Sequence, residues 1–340
     1  HDMVCYDKVE NTCISDGHEY YVCNNGYGKH EYITLEATGH TEVIDEAIEP
    51  TCSSFGLTEG KHCEVCDEVL IKQEQILMKL HTFEDGSCVD CGCEYFTQDL
   101  EYEITEENDE LIAIVVGIGD NVSMDIIIPD YYRGIPVTKI GNGALKNSKI
   151  TSVRFLEESN VRKISDRAFS DCIILEEIIL PDSLVEIETT AFQNCDSLES
   201  IIIPDSVTYL GSCVLQDCDN LKYVKLSNNL EIISSGLFEM CDSLQTVEIP
   251  SSVKEIEDSV FSWNYSLEYI IIPSSVEVVG NRVFDDCKLL TIYVDLEEEP
   301  YEWSLRWNED NNPVYWKGEW HVDENGVPSP HTYVTDEAVA

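Results

Sequence analysis

Leu175-Glu-Glu-Ile-Ile-Leu-Pro-Asp-Ser-Leu-Val-Glu-Ile-Glu-Thr-Thr-Ala-Phe-Gln-Asn-Cys-Asp-Ser197 is one period of a pattern that fills the C-terminal half of the chain. Leu180-Pro181 returns as Ile203-Pro204, Leu226-Ser227, Ile249-Pro250 and Ile272-Pro273, each 23 positions after the last. Phe169, Phe192, Leu215, Phe238, Phe261 and Phe284 keep the same step. So do Cys172, Cys195, Cys218, Cys241, Asn264 and Cys287, and Leu175, Leu198, Leu221, Leu244, Leu267 and Leu290. Four columns in lockstep at a period in the twenties predict a solenoid whose units stack one on the next.

Within the quoted unit, the first six residues alternate as a short strand. Leu175, Ile178 and Leu180 face inward, and Glu177 and Ile179 face out. Pro181 has no N–H for the ladder and ends the strand. Leu184 and Ile187 form a second inward pair, and Ala191-Phe192 fits a short helical or 3₁₀ turn. Burying six large apolar side chains is worth roughly 1.5–3 kcal/mol each. Ordering the backbone costs about 1–2 kcal/mol per residue. One unit alone therefore falls short, and only stacking covers both of its open faces. The Cys column reads as small buried hydrophobes rather than a disulfide ladder, because equivalent side chains on stacked coils point the same way. Asn264 fits that column by bonding the turn backbone with its amide. The coil near 145–163 lacks the Cys, and Leu145 and Ile150 fall out of step, so it is expected to be irregular.

These residues resemble the BspA-type leucine-rich repeat, whose consensus runs Leu-x-x-Ile-x-Leu-Pro-x-x-Leu-x-x-Ile-x-x-x-Ala-Phe-x-x-Cys. The match covers about residues 126–296. Ile126-Ile-Ile-Pro129 through Ile140-Gly141 is similar to the family's usual first repeat. Trp303, Trp307, Trp316 and Trp320 lie in a segment similar to its aromatic C-terminal cap. A cap is also physically required, since the last coil would otherwise expose an apolar end. A sugar-binding platform is the competing use of those aromatics. The fold class expected is thus a leucine-rich repeat solenoid, with a parallel β-sheet on one face, preceded by small Cys/His-rich modules. The expected division is 1–97 for the modules, 98–130 for a strand-rich lead-in, 131–297 for the solenoid, 298–320 for the cap and 321–340 for a polar linker or the start of a further module.

Nine of the fifteen Cys precede residue 94. There Cys13, Cys23 and His40 echo as Cys52, Cys63 and His81, and Cys66 completes a Cys63-x-x-Cys66 pair. Cys88-x-x-Cys91 begins a third copy. Cys-x-x-Cys is the spacing of a tetrahedral zinc site. Cys52, Cys63, Cys66 and His81 form one complete candidate set for a structural zinc, and Cys63, Cys66, Cys88 and Cys91 form another. A disulfide framework is the rival reading, as an extracellular compartment would favour it. The first copy has Gly26 where the pair's second Cys would stand, which argues against a metal there. His18 and His30 have no other evident partner near it. These segments are similar to the Cys/His modules that flank repeats in surface proteins of gut Gram-positive bacteria.

With 67 Asp and Glu against 20 Lys and Arg, the formal net charge is −47. Phosphate backbones and anionic lipid repel such a chain, so nucleic-acid binding is rejected. No run of 18 apolar residues spans a membrane, and no signal peptide is visible. Gly117-Ile-Gly119 reads as a turn rather than a phosphate loop, and no catalytic motif appears. No cofactor is required. The expectation is a non-enzymatic, monomeric, extracellular protein displayed at a cell surface. The resemblance implies adhesion or host–microbe contact, with matrix proteins such as fibronectin or fibrinogen as partners. The predicted contact surface is the two outward columns, Glu177, Ser200, Tyr223, Thr246 and Tyr269 beside Ile179, Ile202, Lys225, Glu248 and Ile271. A rigid spacer in a larger surface protein is the alternative, and a glycan-active enzyme a second one.

Overall fold

The structure is a computed structural model that describes residues 2–24, 29–84, 87–92, 96–97, 99–119, 123–324 and 326–331. The chain divides into two compact units, His1–Cys93 and Glu94–Ala340.

In the second unit the repeat is a coil. Strands Glu177–Ile179, Ser200–Ile202 and Tyr223–Lys225 recur at the predicted position, each with its middle residue buried and its flanks exposed. Pairing is parallel, as with Ser200 against Tyr223 and Ile202 against Lys225. After each strand the proline carbonyl accepts the N–H of the residue three positions on, from Leu184 to Pro181 and from Val207 to Pro204, both at 3.0 Å. Proline at the first place of that turn needs no donor of its own. A second parallel ladder follows, with strands Lys163–Ile164, Glu186–Ile187 and Tyr209–Leu210 in register. The coil therefore presents two strand faces rather than one. Of the inward pair, Ile187 belongs to this second ladder and Leu184 is buried in the turn before it.

The Ala-Phe segment forms hydrogen-bonded turns, and no helix occurs among the described residues. The expected helical or 3₁₀ turn is displaced by a third set of contacts between coils. The N–H groups of Thr190, Phe192 and Asn194 donate to the carbonyls of Ser212, Val214 and Gln216 on the next coil, at 2.9 Å each. Left-handed residues frame this turn in successive coils, at Thr190, Cys213, Gly236 and Ser259 and again at Asn194, Asp217, Met240 and Trp263. Only Gly236 takes that conformation without steric penalty. A continuing helix would direct those amides along its own axis instead of toward the neighbour.

All four columns are buried. Phe169, Phe192, Phe238, Phe261 and Phe284 are fully enclosed. They stack in pairs, with centroids 5.2 Å apart for Phe169–Phe192 and 5.4 Å for Phe238–Phe261. The sulfurs of Cys195, Cys218 and Cys241 each donate to a carbonyl 26 residues earlier, that of Phe169, Phe192 or Leu215. Asn264 Nδ2 makes the equivalent bond to the Phe238 carbonyl at 2.8 Å. The irregular coil is longer than the rest: Ser152 pairs with Glu177, whereas Lys163 pairs with Glu186. Its Leu145 and Ile150 are nevertheless buried, and Ser148 stands at the Cys position, 3.3 Å from Cys172 Sγ.

The first coil is led in by the antiparallel pair Leu100–Glu107 and Glu110–Ile118, the second of which runs parallel to Ile135–Ile140. Gly117 lies within that strand rather than in a turn, and a side chain there would meet Glu101. At the far end Trp303 and Trp307 are buried, and Trp307 packs edge-on against Phe284. Trp303 and Trp307 thus cover the coil of Phe284, while Trp316 and Trp320 are half-buried. The expected linker after residue 320 is in part a hairpin, Trp320–Val322 with Pro328–Pro330. Residues 332–340 lie outside the described residues.

The first unit is built of short antiparallel sheets, Met3–Val9 with Gly17–Cys23 and His30–Leu35, then Glu42–Asp45 with Gly60–Cys63 and Val69–Ile71. The sequence echo is structural. Thr12 N–H bonds the Ser15 carbonyl as Thr51 N–H bonds that of Ser54. Gly17 and Gly56 both lie where a side chain would strike backbone. Among the described residues of this unit, the buried apolar side chains are Pro50 and five cysteines, Cys13, Cys23, Cys52, Cys63 and Cys88.

Candidate interaction face and metal clusters

The outward columns of the solenoid fall on the first ladder and line two adjoining grooves. One, of about 430 Å³, is lined by Glu177, Ile179, Ser200 and Ile202, with Asp182 and Asp205 at its margin. The other, of about 650 Å³, is lined by Tyr223, Lys225, Thr246, Glu248, Tyr269 and Ile271. Lys225 borders both. Ile179, Ile202 and Tyr223 are each more than half exposed, which is costly for apolar groups on a monomer. They stay outward because the strand alternation that buries Ile178, Ile201 and Val224 allows no other side. Gly326, in the turn of the C-terminal hairpin, reaches the larger groove. The second ladder carries a smaller exposed strip at Tyr209 and Ile232. Sequence reading missed it, because two-residue strands show too little alternation.

In the first unit eight residues converge in two clusters, Cys13, His40, Cys63 and Cys66 in one, and Cys52, His81, Cys88 and Cys91 in the other. In each, the ligand atoms all lie within 4.8 Å of one another. The set Cys52, Cys63, Cys66 and His81 is not brought together. Cys63 and Cys66 join the first cluster, and Cys52 and His81 join the second. The alternative set of both Cys-x-x-Cys pairs is divided in the same way. Backbone pairing explains the partition. Gly39 N–H bonds the Cys13 carbonyl and Glu64 N–H bonds that of Thr41, so Cys13, His40 and Cys63 meet. Lys79 N–H to Thr51 and Val89 N–H to Thr82 repeat the arrangement around His81. The first copy can therefore dispense with a Cys at 26, a position outside the described residues, because its Cys13 and His40 use the pair of the next copy. His18 turns away to Asp7, at 3.3 Å, and stacks on Tyr32. His30 packs near Tyr20.

The spacings identify what the clusters suit. Cys13 and Cys63 sulfurs are 3.7 Å apart, and those of Cys52 and Cys88 are 3.9 Å apart. Cys66 Sγ lies 3.5 Å from His40 Nδ1, and Cys91 Sγ lies 3.4 Å from His81 Nδ1. A disulfide needs about 2.05 Å. A tetrahedral zinc with Zn–S near 2.3 Å and Zn–N near 2.0–2.1 Å requires edges of about 3.8 and about 3.6 Å. His40 Nε2 meets Glu68 Oε2 at 3.3 Å, the outer carboxylate that fixes a ligand imidazole. Burial would raise the Cys63 thiol, yet the Val65 and Cys66 amides and His40 bring it to about 6. Against the same burial, Cys91 and Asp90 amides with His81 bring Cys88 to about 6. Burial and neighbouring thiols push Cys13 to about 11 and Cys52 to about 12.

With this geometry in place, similarity to known proteins can be read. The profile of the BspA type leucine rich repeat region matches in six copies, over residues 138–267 and 186–297. A leucine-rich repeat protein of Treponema pallidum is 30% identical, with a TM-score of 0.51, over 57% of this chain and 88% of its own. The chain belongs to the BspA-type leucine-rich repeat family. Two other leucine-rich repeat structures are similar in sequence: one from Bacteroides ovatus at 24% identity, TM-score 0.44, covering 66% of this chain and 71% of that one, and one from Bacteroides capillosus at 28%, TM-score 0.33, covering 38% and 98%. None of the curated proteins compared with the chain matches it. The matched profile begins after the Cys/His modules, so family membership rests on the solenoid. No helix among the described residues is long and apolar enough to cross a membrane.

Proposed function

We propose that this protein is a non-enzymatic, extracellular, surface-displayed binding protein that docks a protein partner on the first strand ladder, in adhesion or host–microbe contact. The observation that carries the reading is that all ten outward residues from Glu177 to Ile271 line two adjoining grooves on one face. Exposed Tyr and Ile provide apolar contact area, with Lys225, Glu177 and Glu248 as polar selectors. The acidic margin at Asp182 and Asp205 favours a basic partner surface and makes association slower at high salt. The amino-terminal clusters enter this reading as structural metal sites, with zinc as the ion. Four protein ligands close a tetrahedral shell, so neither cluster leaves a catalytic position open.

The test is equilibrium binding to immobilised fibronectin and fibrinogen, the partners the family resemblance suggests. Tyr223→Ala with Tyr269→Ala is expected to weaken binding at least tenfold, while Tyr209→Ala with Ile232→Ala on the other ladder leaves it unchanged. Equal binding by the Tyr223 and Tyr269 variant refutes the assigned face. Absence of binding by the unmodified chain removes these two partners and leaves the rigid spacer as the better reading.

A further inference from the structure

Among its described residues, the first unit has no apolar interior beyond its cysteines and Pro50. Apart from Pro50, its described buried apolar side chains are cysteines, while Val4, Tyr6, Ile14, Ile44, Val65 and Val69 stand exposed. Small domains that lack a hydrophobic core usually depend on disulfides, a structural metal or oligomerisation. The sulfur spacings are those of free thiols rather than of a bonded pair, and they match the edges of a zinc tetrahedron. Each cluster also draws its ligands from two copies of the module. Cys13 and His40 come from the first copy and Cys63-x-x-Cys66 from the second. Cys52 and His81 come from the second and Cys88-x-x-Cys91 from the third.

We propose that residues 1–93 hold two zinc ions, each at a junction between successive modules, and that these ions replace the missing core. The inference rests on reading the clusters as metal sites and adds to it the stoichiometry and the ligand assignment. One module supplies a Cys and a His, and the next supplies a Cys-x-x-Cys turn. The metal therefore fixes the register of one module on the following one, and no module completes a site from its own residues. Binding releases the thiol protons and forms four coordinate bonds with no change in oxidation state.

The experiment uses the full chain, prepared with zinc under mild reduction, and counts metal by elemental analysis. Two equivalents are expected, falling to one in Cys13→Ser and to one in Cys88→Ser. Replacing zinc by cobalt is expected to give the absorption of tetrahedral thiolate-bound cobalt, at half the wild-type intensity in either variant. A site made within one module from Cys52, Cys63, Cys66 and His81 would instead give one equivalent in the unmodified chain and the same in both variants. That result overturns the junction assignment and keeps the metal reading. Less than a few tenths of an equivalent in the unmodified chain overturns both. The five Trp residues all lie beyond residue 262, so their fluorescence checks that the solenoid stays folded in each variant.

Discussion

Cys195 and Cys63 are both wholly buried, but they are buried for different ends. Cys195 sits in a column of Cys side chains, interrupted by Asn264, that bond to carbonyls of earlier coils. Cys63 faces two other sulfurs and an imidazole. The column was legible in sequence because a fixed period repeats one environment, and Asn264 shows what that environment asks for: a small side chain with a donor. The cluster was legible only as residue types. Burial pushes Cys218 and Cys287 to about 12 and raises Cys195 and Cys241 well above the ordinary thiol range. Since the thiolate is the reactive form, these four are expected to resist iodoacetamide at pH 8 in the folded protein and to react fully in guanidinium, as read by mass spectrometry of tryptic peptides. Modification of these peptides at the rate of an exposed thiol would contradict their burial.

At the scale of elements, the proline-ended strand and the buried Phe were legible, because each is a local pattern repeated in phase. The second ladder was not, since Glu186–Ile187 and Tyr209–Leu210 offer only one inward residue each. The ligand partition was not legible either. Spacing along the chain cannot say that Glu42–Asp45 pairs with Gly60–Cys63, and that pairing carries His40 to Cys63. The turns after the Cys column stack carboxylates on neighbouring coils. Burial first, then the charges of Asp217 and Asp219, raises Asp196 and Asp242 above the ordinary carboxylate range. Burial and Asp219 raise Asp217. Between the ordinary and the raised values the folded state binds more protons than the unfolded one, so stability falls as pH rises through that window. Asp171, held low by Asn194, Ser170 and Lys146, acts in the opposite sense but only below the ordinary range. The solenoid's Trp-monitored Tm is therefore expected to rise as pH is lowered from neutrality toward the ordinary carboxylate range. A Tm that falls over this interval would show that the acidic turns are not under strain.

Across the whole molecule, one unit is built on a continuous apolar interior, and the other gathers eight Cys and His side chains into two clusters. The solenoid interior has no single centre: each coil is covered by its two neighbours, so stability is close to a sum of coil and interface terms. The proposed interaction face follows from the same arrangement, because stacking places equivalent outward positions in line. A net charge of −47 keeps such a surface soluble and adds self-repulsion that a central core would have to overcome. Apart from the longer coil near residues 145–163, residues 126–296 are equivalent coils stacked in phase. Removing one whole period, residues 198–220, should leave a cooperative unfolding transition in Trp fluorescence with a Tm lower by only several degrees. Removing eleven residues, 198–208, should abolish the transition. Loss of cooperative folding in the whole-period deletion, to the same extent as in the partial one, would contradict the stack.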